Sequence, residues 1–426
     1  MIKLPTKLNE GWLNLKMEGF KMETGNIAFI LICSAMVFLM TPALAFFYGG
    51  LERRKNILNT MMMVICVMGL ASVLWVILGY SLSFSGGNTF IGNFDKIFFN
   101  HVSMTEGETI PEGLFAGFQM MFALITTAII TGAVVGRMRF SAIFIFIAIW
   151  SIVVYYPMAH MVWGGGFLEE IGSIDFAGGN VVHISSGVSG LVLALVVGKR
   201  REFHQTEYRP HNIPFVVLGA GLLWFGWFGF NAGSALAADG LAIHAMMTTN
   251  TAAATGMLSW MLIEKLSIGK PTIVGACTGA IVGLVAITPG AGFVSLWSSF
   301  VLGALVSPFC YYFISFVKHK IGYDDALDAF GCHGVGGIFG GIMTGIFADP
   351  EVGGKVGLIY GGTDLFIAQV VSIIFTIIFA AAASFIIIKG IQLFMPIRVS
   401  AKEEALGLDR IEHDETAYPT FMGLDS

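Results

Sequence analysis

Charge is scarce in this chain. Asp, Glu, Lys and Arg together make up 12% of its 426 residues, about half of the roughly 25% usual in soluble domains. With a hydrophobic share of 56%, that shortage points to a polytopic membrane protein and gives no support to nucleic-acid binding. The net charge of -5 says little about partners. Cysteine is sparse too: Cys33, Cys66, Cys277, Cys310 and Cys332 lie in apolar runs with no Cys-x-x-Cys pair. They read as small buried hydrophobes, without a disulfide framework or a zinc site. The chain also lacks a Gly-x-x-x-x-Gly-Lys-Ser/Thr loop, a His-Glu-x-x-His pair and a Gly-x-Ser-x-Gly elbow. No catalytic residue, metal or cofactor is therefore expected. Any solute that moves must run on its own gradient or on the membrane potential. Residues 1–25 alternate Lys with Glu and have no apolar core of a signal peptide, so they read as a short polar extension.

Apolar runs of about twenty residues suit a hydrocarbon core of ~30 Å. Eleven are expected, over 26–48, 58–84, 114–135, 141–163, 181–197, 213–235, 241–262, 272–287, 292–317, 333–348 and 365–394. The eighth and tenth are short and glycine-rich. Arg53, Arg54, Lys55, Arg137, Arg139, Lys199, Arg200, Arg201, Arg209, Lys265, Lys270, Lys318 and Lys320 all fall in alternate connections, whereas the opposite ones hold only Lys96 and Lys355. The positive-inside rule makes the basic side cytoplasmic, the amino terminus external and the carboxyl tail internal. The fold class expected is all-α: two five-helix halves plus one extra helix. Because five is odd, the second half must be inverted, with a solute path near the interface between the halves.

Two histidines occupy matching places in those halves. Asp175 precedes His183 by eight residues at the start of the fifth run, and Asp325 precedes His333 by eight at the start of the tenth. Ionisable groups at membrane depth are costly, and a matched pair marks a pore or binding site. His160, His211 and His244 have no such match and read as structural or interfacial. Asp175 reads first as a helix cap, its carboxylate accepting backbone N–H groups; Asp325 and Asp328 read as caps for the tenth span. The run Gly331, Gly334, Gly336, Gly337, Gly340, Gly341 and Gly345 reads as a small-residue face for close helix contact.

These stretches, with TPALAFFYGGL at 41–51, AHMVWGGG at 159–166, DFAGG at 175–179, WFGFNAGS at 227–234 and FGCHG at 330–334, closely resemble the ammonium transporter, methylammonium permease and Rhesus family, in its microbial ammonium transporter branch. The resemblance covers residues 26 to 420. It implies an eleven-helix protomer in a homotrimer, with one conduction path in each protomer and ammonium or ammonia as solute. By motif, Phe118, Trp163 and Ser234 would form an outer recruitment site. Phe122 and Phe230 would form a gate beneath it, His183 and His333 the paired pore imidazoles, and Trp227 part of the pore lining. Asp175 would support the recruitment site.

The chemistry agrees with that reading. Ammonium has one charge and four N–H donors, so it suits aromatic faces with a hydroxyl acceptor. Carrying the bare ion into a dry pore costs tens of kcal/mol, whereas removing its proton near neutral pH costs ~3 kcal/mol. Passage as ammonia follows, whether or not the proton travels by a separate path. The alternatives are a Rhesus-like channel for ammonia or carbon dioxide, against which the aromatic outer site argues, and an ammonium sensor. Residues 396–426 are charged and poor in apolar residues, and resemble a cytoplasmic regulatory tail that in relatives meets PII signal proteins. Asp414 stands where the family commonly has Gly. The expected division is thus an external extension (1–25), a transport domain (26–395) in the plasma membrane or bacterial inner membrane, and the tail.

Overall fold

A chain inside hydrocarbon must satisfy its backbone polar groups within itself, and a helix does so segment by segment. The computed structural model describes residues 24–203 and 209–418. Among them the regular elements are helices, and the only strand-type contacts are three isolated bridges. The extension expected over 1–25 lies, up to residue 23, outside the described residues.

The helices follow the apolar runs: α1 (Thr24–Leu51), α2 (Arg54–Phe84), α3 (Glu112–Thr131), α4 (residues 140–163), α5 (Gly179–Val197), α6 (Ile213–Gly233), α7 (Gly240–Ser267), α8 (Ile273–Ile287), α9 (Leu296–Ile321), α10 (Phe330–Phe347) and α11 (Thr363–Gln392). Nine of the described helices are long and apolar enough to cross a membrane. The other two run at the expected seventh and eighth places: α7 is long but more polar, and α8 is apolar but has 15 residues.

α1 and α6 pack on each other more extensively than any other pair. They come this close because α6 presents glycine: a Cβ on Gly219 would lie 2.4 Å from the Phe47 backbone N, and one on Gly226 2.8 Å from the Met36 carbonyl. α5 and α10 meet in the same way, since a Cβ on Gly187 would fall 2.3 Å from the Gly334 backbone N. Single π-helical turns interrupt α2 (Trp75–Gly79), α4 (Ser151–Tyr155) and α9 (Phe313–Val317), and open α5 (Gly179–Ile184) and α10 (Phe330–Gly334). Four of the five lie in the fourth, fifth, ninth and tenth helices. π turns collect at functional sites because they rotate a side chain out of α-helical register. α11 lies along α5, α10 and α4.

Beyond α11 the chain turns back onto the helix ends as α12 (Ala401–Leu406) and α13 (Leu408–His413). Ser400 and Glu403 form a capping box at the start of α12. Asp414 ends α13 at φ +52°, the left-handed region in which Gly is favoured and Asp is tolerated. Glu404, buried at 2% exposure, bonds the backbone N of Arg201 at 2.7 Å and the Arg398 guanidinium at 2.8 Å.

Candidate functional site

The two acids set where the histidines stand. Asp175 Oδ1 accepts from the backbone N of Gly178 (2.8 Å) and Gly179 (2.6 Å), and Oδ2 from that of Asn180 (2.7 Å) and Val181 (3.4 Å). Its own carbonyl receives the Trp163 indole N–H at 2.8 Å. One residue therefore starts α5 and holds the ring of Trp163. Gly178 makes the turn at φ +125°, where a Cβ would be strained. Asp325 caps α10 similarly, accepting from Ala329 (3.1 Å) and Phe330 (2.8 Å). Asp328 does not share this work. Its backbone is left-handed, at φ +57°, and its carboxylate pairs with Lys318 at 2.6 Å.

Capped this way, α5 and α10 bring His183 and His333 together. Their Nδ1 atoms lie 3.2 Å apart and the rings are inclined by 24°. Both are buried, at 1% and 5% exposure. One Nδ1 must donate and the other accept, so the pair shares a single hydrogen in a chain of opposite tautomers. The His183 Nε2 has no hydrogen-bond partner. A Cβ on Gly337 would come within 3.0 Å of the His183 Cβ, which leaves no slack behind that ring.

The imidazoles border a cavity of about 20 Å³ whose other walls include Met40, Leu44, Phe47, Ile125, Ile129, Leu223, Trp227, Phe230 and Ile281. A space of ~10–15 Å³ or more admits one water-sized molecule. Trp227 stacks on His183 at 5.5 Å between centroids, and its indole N–H goes to the Thr288 hydroxyl at 2.9 Å, away from the cavity. The wall thus offers His nitrogens as its polar atoms. Thr288 and the aliphatic wall carried no signal in the sequence, since one more Ile or Leu in an apolar helix looks like any other.

On the side of Trp163 the cavity is closed by aromatic rings. Phe122 and Phe230 lie 4.3 Å apart at 35°. Phe122 also meets Phe118 at 5.0 Å and Trp163 at 6.0 Å, so it is the hub of the cluster. Phe118, Phe122 and Phe230 are buried, whereas Trp163 and Ser234 are part-exposed. Ser234 donates its hydroxyl hydrogen to the Phe230 carbonyl at 2.9 Å, leaving the oxygen's lone pairs as acceptors. The nine residues singled out in the sequence therefore fall in one column: Trp163 and Ser234 with Asp175 behind them, then Phe118, Phe122 and Phe230, then His183, His333 and Trp227.

At the other end Phe47 also borders a second cavity, of about 210 Å³, with Leu51, Glu52, Arg200, Leu327, Asp328 and Cys332. Arg200 braces this end. It grips the buried Asp324 through Nη2 (2.7 Å) and Nε (2.9 Å), and lies 3.8 Å from Glu52. Burial acts to raise the Asp324 carboxyl, but the Arg200 hydrogen bonds and the Arg137 charge outweigh it and hold the group below its ordinary value. The Asp325 carboxyl moves the other way, pushed up to about 6 by burial. His160 ties the α2–α3 connection to α4 through the carbonyls of Ser83 and Asn88, His211 meets the Glu52 carbonyl, and His244 meets that of Val294. All three rings are thus engaged with backbone carbonyls.

Comparison with known proteins agrees with this architecture. The family model described as Ammonium Transporter Family matches residues 28–418. An ammonium transporter of Bacillus subtilis is 49% identical over 406 residues, covering 94% of this chain and 100% of that protein. The Archaeoglobus fulgidus ammonium transporter Amt1 is 44% identical over 398 residues, with 93% and 100% covered. Among solved structures, Saccharomyces cerevisiae Mep2 superimposes with a TM-score of 0.83 at 36% identity, covering 90% of this chain and 89% of that one. A protein described as a sensor Amt protein superimposes with a TM-score of 0.87 at 26% identity, covering 92% and 99%. The chain is a multi-pass membrane protein and belongs to the Ammonium Transporter Family.

Proposed function

We propose that this chain transports ammonium by recruiting the cation at Trp163, Phe118 and Ser234, removing its proton, and passing ammonia between Phe122 and Phe230 to the His183–His333 pair. The observation that carries the reading is that pair, Nδ1 to Nδ1 at 3.2 Å beside a cavity of about 20 Å³ with an otherwise apolar wall. An ion entering such a wall loses its hydration, at tens of kcal/mol in the Born limit. Surrendering a proton ~2 pH units below the ammonium pKa costs ~3 kcal/mol. Deprotonation is the cheaper step by an order of magnitude. Ammonia then meets a neutral imidazole chain that can donate to its lone pair or accept from its N–H groups. Potassium has no proton to surrender, so selectivity requires no size filter.

In this reading all eleven helices cross the membrane, α7 and α8 included, and the halves α1–α5 and α6–α10 are inverted repeats. Residues 26–395 form the transport unit of a homotrimer in the plasma membrane. The amino terminus is external, and the basic loops and residues 396–426 are cytoplasmic. The partly exposed Trp163 beside Phe122 favours cation recruitment over a Rhesus-like gas channel. A sensing role has one observation in its favour, the likeness to the sensor Amt protein. The tail against the helix ends is the surface offered to a PII-type signal protein.

Uptake and current in proteoliposomes test the reading. His183→Ala and His333→Ala should each abolish ammonium transport selective over potassium while the protein stays folded. Wild-type selective transport in either variant would overturn it. Ammonium-evoked current in the wild type would mean that the proton follows; uptake without current would mean that it does not.

A further inference from the structure

α11 gives no side chain to the column of nine residues, yet it buries polar groups on one face, among them Gln369, Ser372 and Ser384. Gln369 is fully buried. Its Oε1 accepts the Ser173 hydroxyl at 2.9 Å and the Ile174 backbone N–H at 2.8 Å, and its Nε2 donates to the Gly341 carbonyl of α10 at 3.3 Å. A backbone N–H can only donate, so these partners fix which end of the amide is oxygen. One turn further on, the Ser372 hydroxyl oxygen accepts from Asn180 Nδ2 at 2.8 Å. Ser384 donates to the Ser189 hydroxyl of α5 at 2.8 Å.

α11 reaches this far inward because α10 presents glycine to it. A Cβ on Gly341 would lie 2.9 Å from the Ile373 Cδ1, and one on Gly345 3.2 Å from the Gln369 Cγ. The loop in which Asp175 caps α5 is therefore held from α11 on both flanks, at residues 173–174 before it and at 180 after it.

We propose that Gln369 is a positioning residue for the outer site: it fixes the peptide entering Asp175 and, through the Asp175 carbonyl, the indole of Trp163. The chain of contacts is short. Gln369 holds the Ile174 N–H, residue 175 follows directly, and its carbonyl takes the Trp163 N–H at 2.8 Å. Without the amide, the buried Ser173 hydroxyl and Ile174 N–H lose their acceptor, and the segment must move to find others. Asp175 moves with it. Packing alone does not call for this side chain, since Met or Leu would fill the volume between two apolar helices without requiring three polar partners. The effect on recruitment rests on the proposed role of Trp163; the hold on residues 173–180 does not.

Amide hydrogen exchange and uptake kinetics of the full-length protein test it. Gln369→Met keeps the volume and loses all three bonds. Exchange should quicken over residues 174–181 and stay at the wild-type rate along α6. The apparent KM for ammonium should rise about two-fold or more, the smallest coupling expected within one hydrogen-bond network, at unchanged maximal rate. In a Trp163→Ala background the same substitution should add nothing to KM, because the ring it positions is gone; loosened packing would still add its effect there. Ser173→Ala removes one of the three bonds and should quicken the same amides to a smaller degree, should Gln369→Met misfold. Wild-type exchange over 174–181 in a folded variant would overturn the proposal, as would a KM effect that multiplies in full with that of Trp163→Ala. A normal KM in Trp163→Ala by itself would instead overturn the recruitment reading, and exchange would still decide whether Gln369 holds Asp175.

Discussion

Asp175 and Asp325 stand in the same relation to the helices that follow them: each carboxylate accepts the first backbone N–H groups of a π-helical turn whose histidine reaches the centre of the molecule. Eight residues separate acid from histidine in both halves. The recurrence is one geometric solution used twice, since a helix that begins inside the protein must satisfy its N-terminal donors before it can carry a buried imidazole.

The amide variants should therefore differ in severity. Asn offers one acceptor oxygen and no charge, so Asp175→Asn strands N–H groups now held by the second oxygen. The expected cost is about 1–3 kcal/mol. Asp325→Asn, with two bonds at stake where Asp175 has four, should cost less. Thermal unfolding in detergent checks the order, and an equal or reversed pair of Tm values would refute it.

Trp163→Ala should weaken recruitment without closing the path. The indole meets the Phe122 ring in a T-shaped contact and takes its orientation from the Asp175 carbonyl. A cation–π contact contributes about 1–2 kcal/mol when partly desolvated, so the apparent KM should rise about five- to thirty-fold with little change in the maximal rate. Uptake of dilute against concentrated ammonium measures this. A fall in maximal rate at unchanged KM would move the role of Trp163 from recruitment to conduction.

Much of the site was legible because chemistry concentrates in rare residues. In helices of Leu, Ile, Gly and Phe, a histidine eight residues after an aspartate is conspicuous, whereas Phe118, Phe122, Trp163, Trp227, Phe230 and Ser234 were singled out only through the family resemblance. Register was not legible. Hydropathy begins the tenth span at His333, but α10 starts at Phe330 because Asp325 caps it there. π turns leave no composition mark, since they depend on which carbonyl an N–H meets. Asp328 looked like a cap and pairs with Lys318 instead, because its left-handed backbone turns the carboxylate away from the helix start. α7 is more polar than the other long helices, and part of that polarity is satisfied locally: Thr249, Thr251 and Thr255 return their hydroxyls to its own carbonyls, and Thr248 donates to the carbonyl of Ala291 at 2.8 Å.

The Arg200–Asp324 pair sets an acid limit. Asp324 is held below its ordinary value in the folded state, so its contribution is present in full above the unfolded value of ~3.9 and is lost as the pH falls through the lower folded value. Breaking a pair buried this deeply costs about 3–5 kcal/mol. At pH 6 Asp324→Asn should have the lower Tm, and the gap to the wild type should narrow as the pH drops below 4. A gap independent of pH would show that the ionised carboxylate is not what stabilises this end of the path.

The tail is held at several points, and one of them is decisive. Asp409 Oδ1 accepts the Asn59 backbone N–H at 2.8 Å, near the start of α2, while the Leu408 N–H goes to the Asn56 side chain at 2.9 Å. Arg139 adds ion pairs to Glu403 at 3.2 Å and Glu412 at 3.6 Å. These are part-exposed and each contributes at most ~1 kcal/mol, whereas Asp409 is 4% exposed and its acceptor oxygen cannot be replaced by water without undocking α13. Asp409→Ala should free the tail, which limited proteolysis would register as faster cleavage after residue 400 with the helices intact. None of these contacts reaches the cavity beside His183 and His333, so ammonium-over-potassium selectivity should be unchanged in Asp409→Ala and in a protein lacking residues 402–426. What should disappear is any response of the uptake rate to an added PII-type protein. An unaltered response in the truncated protein would remove the tail from the control of transport, and altered selectivity would mean that tail docking shapes the pore itself.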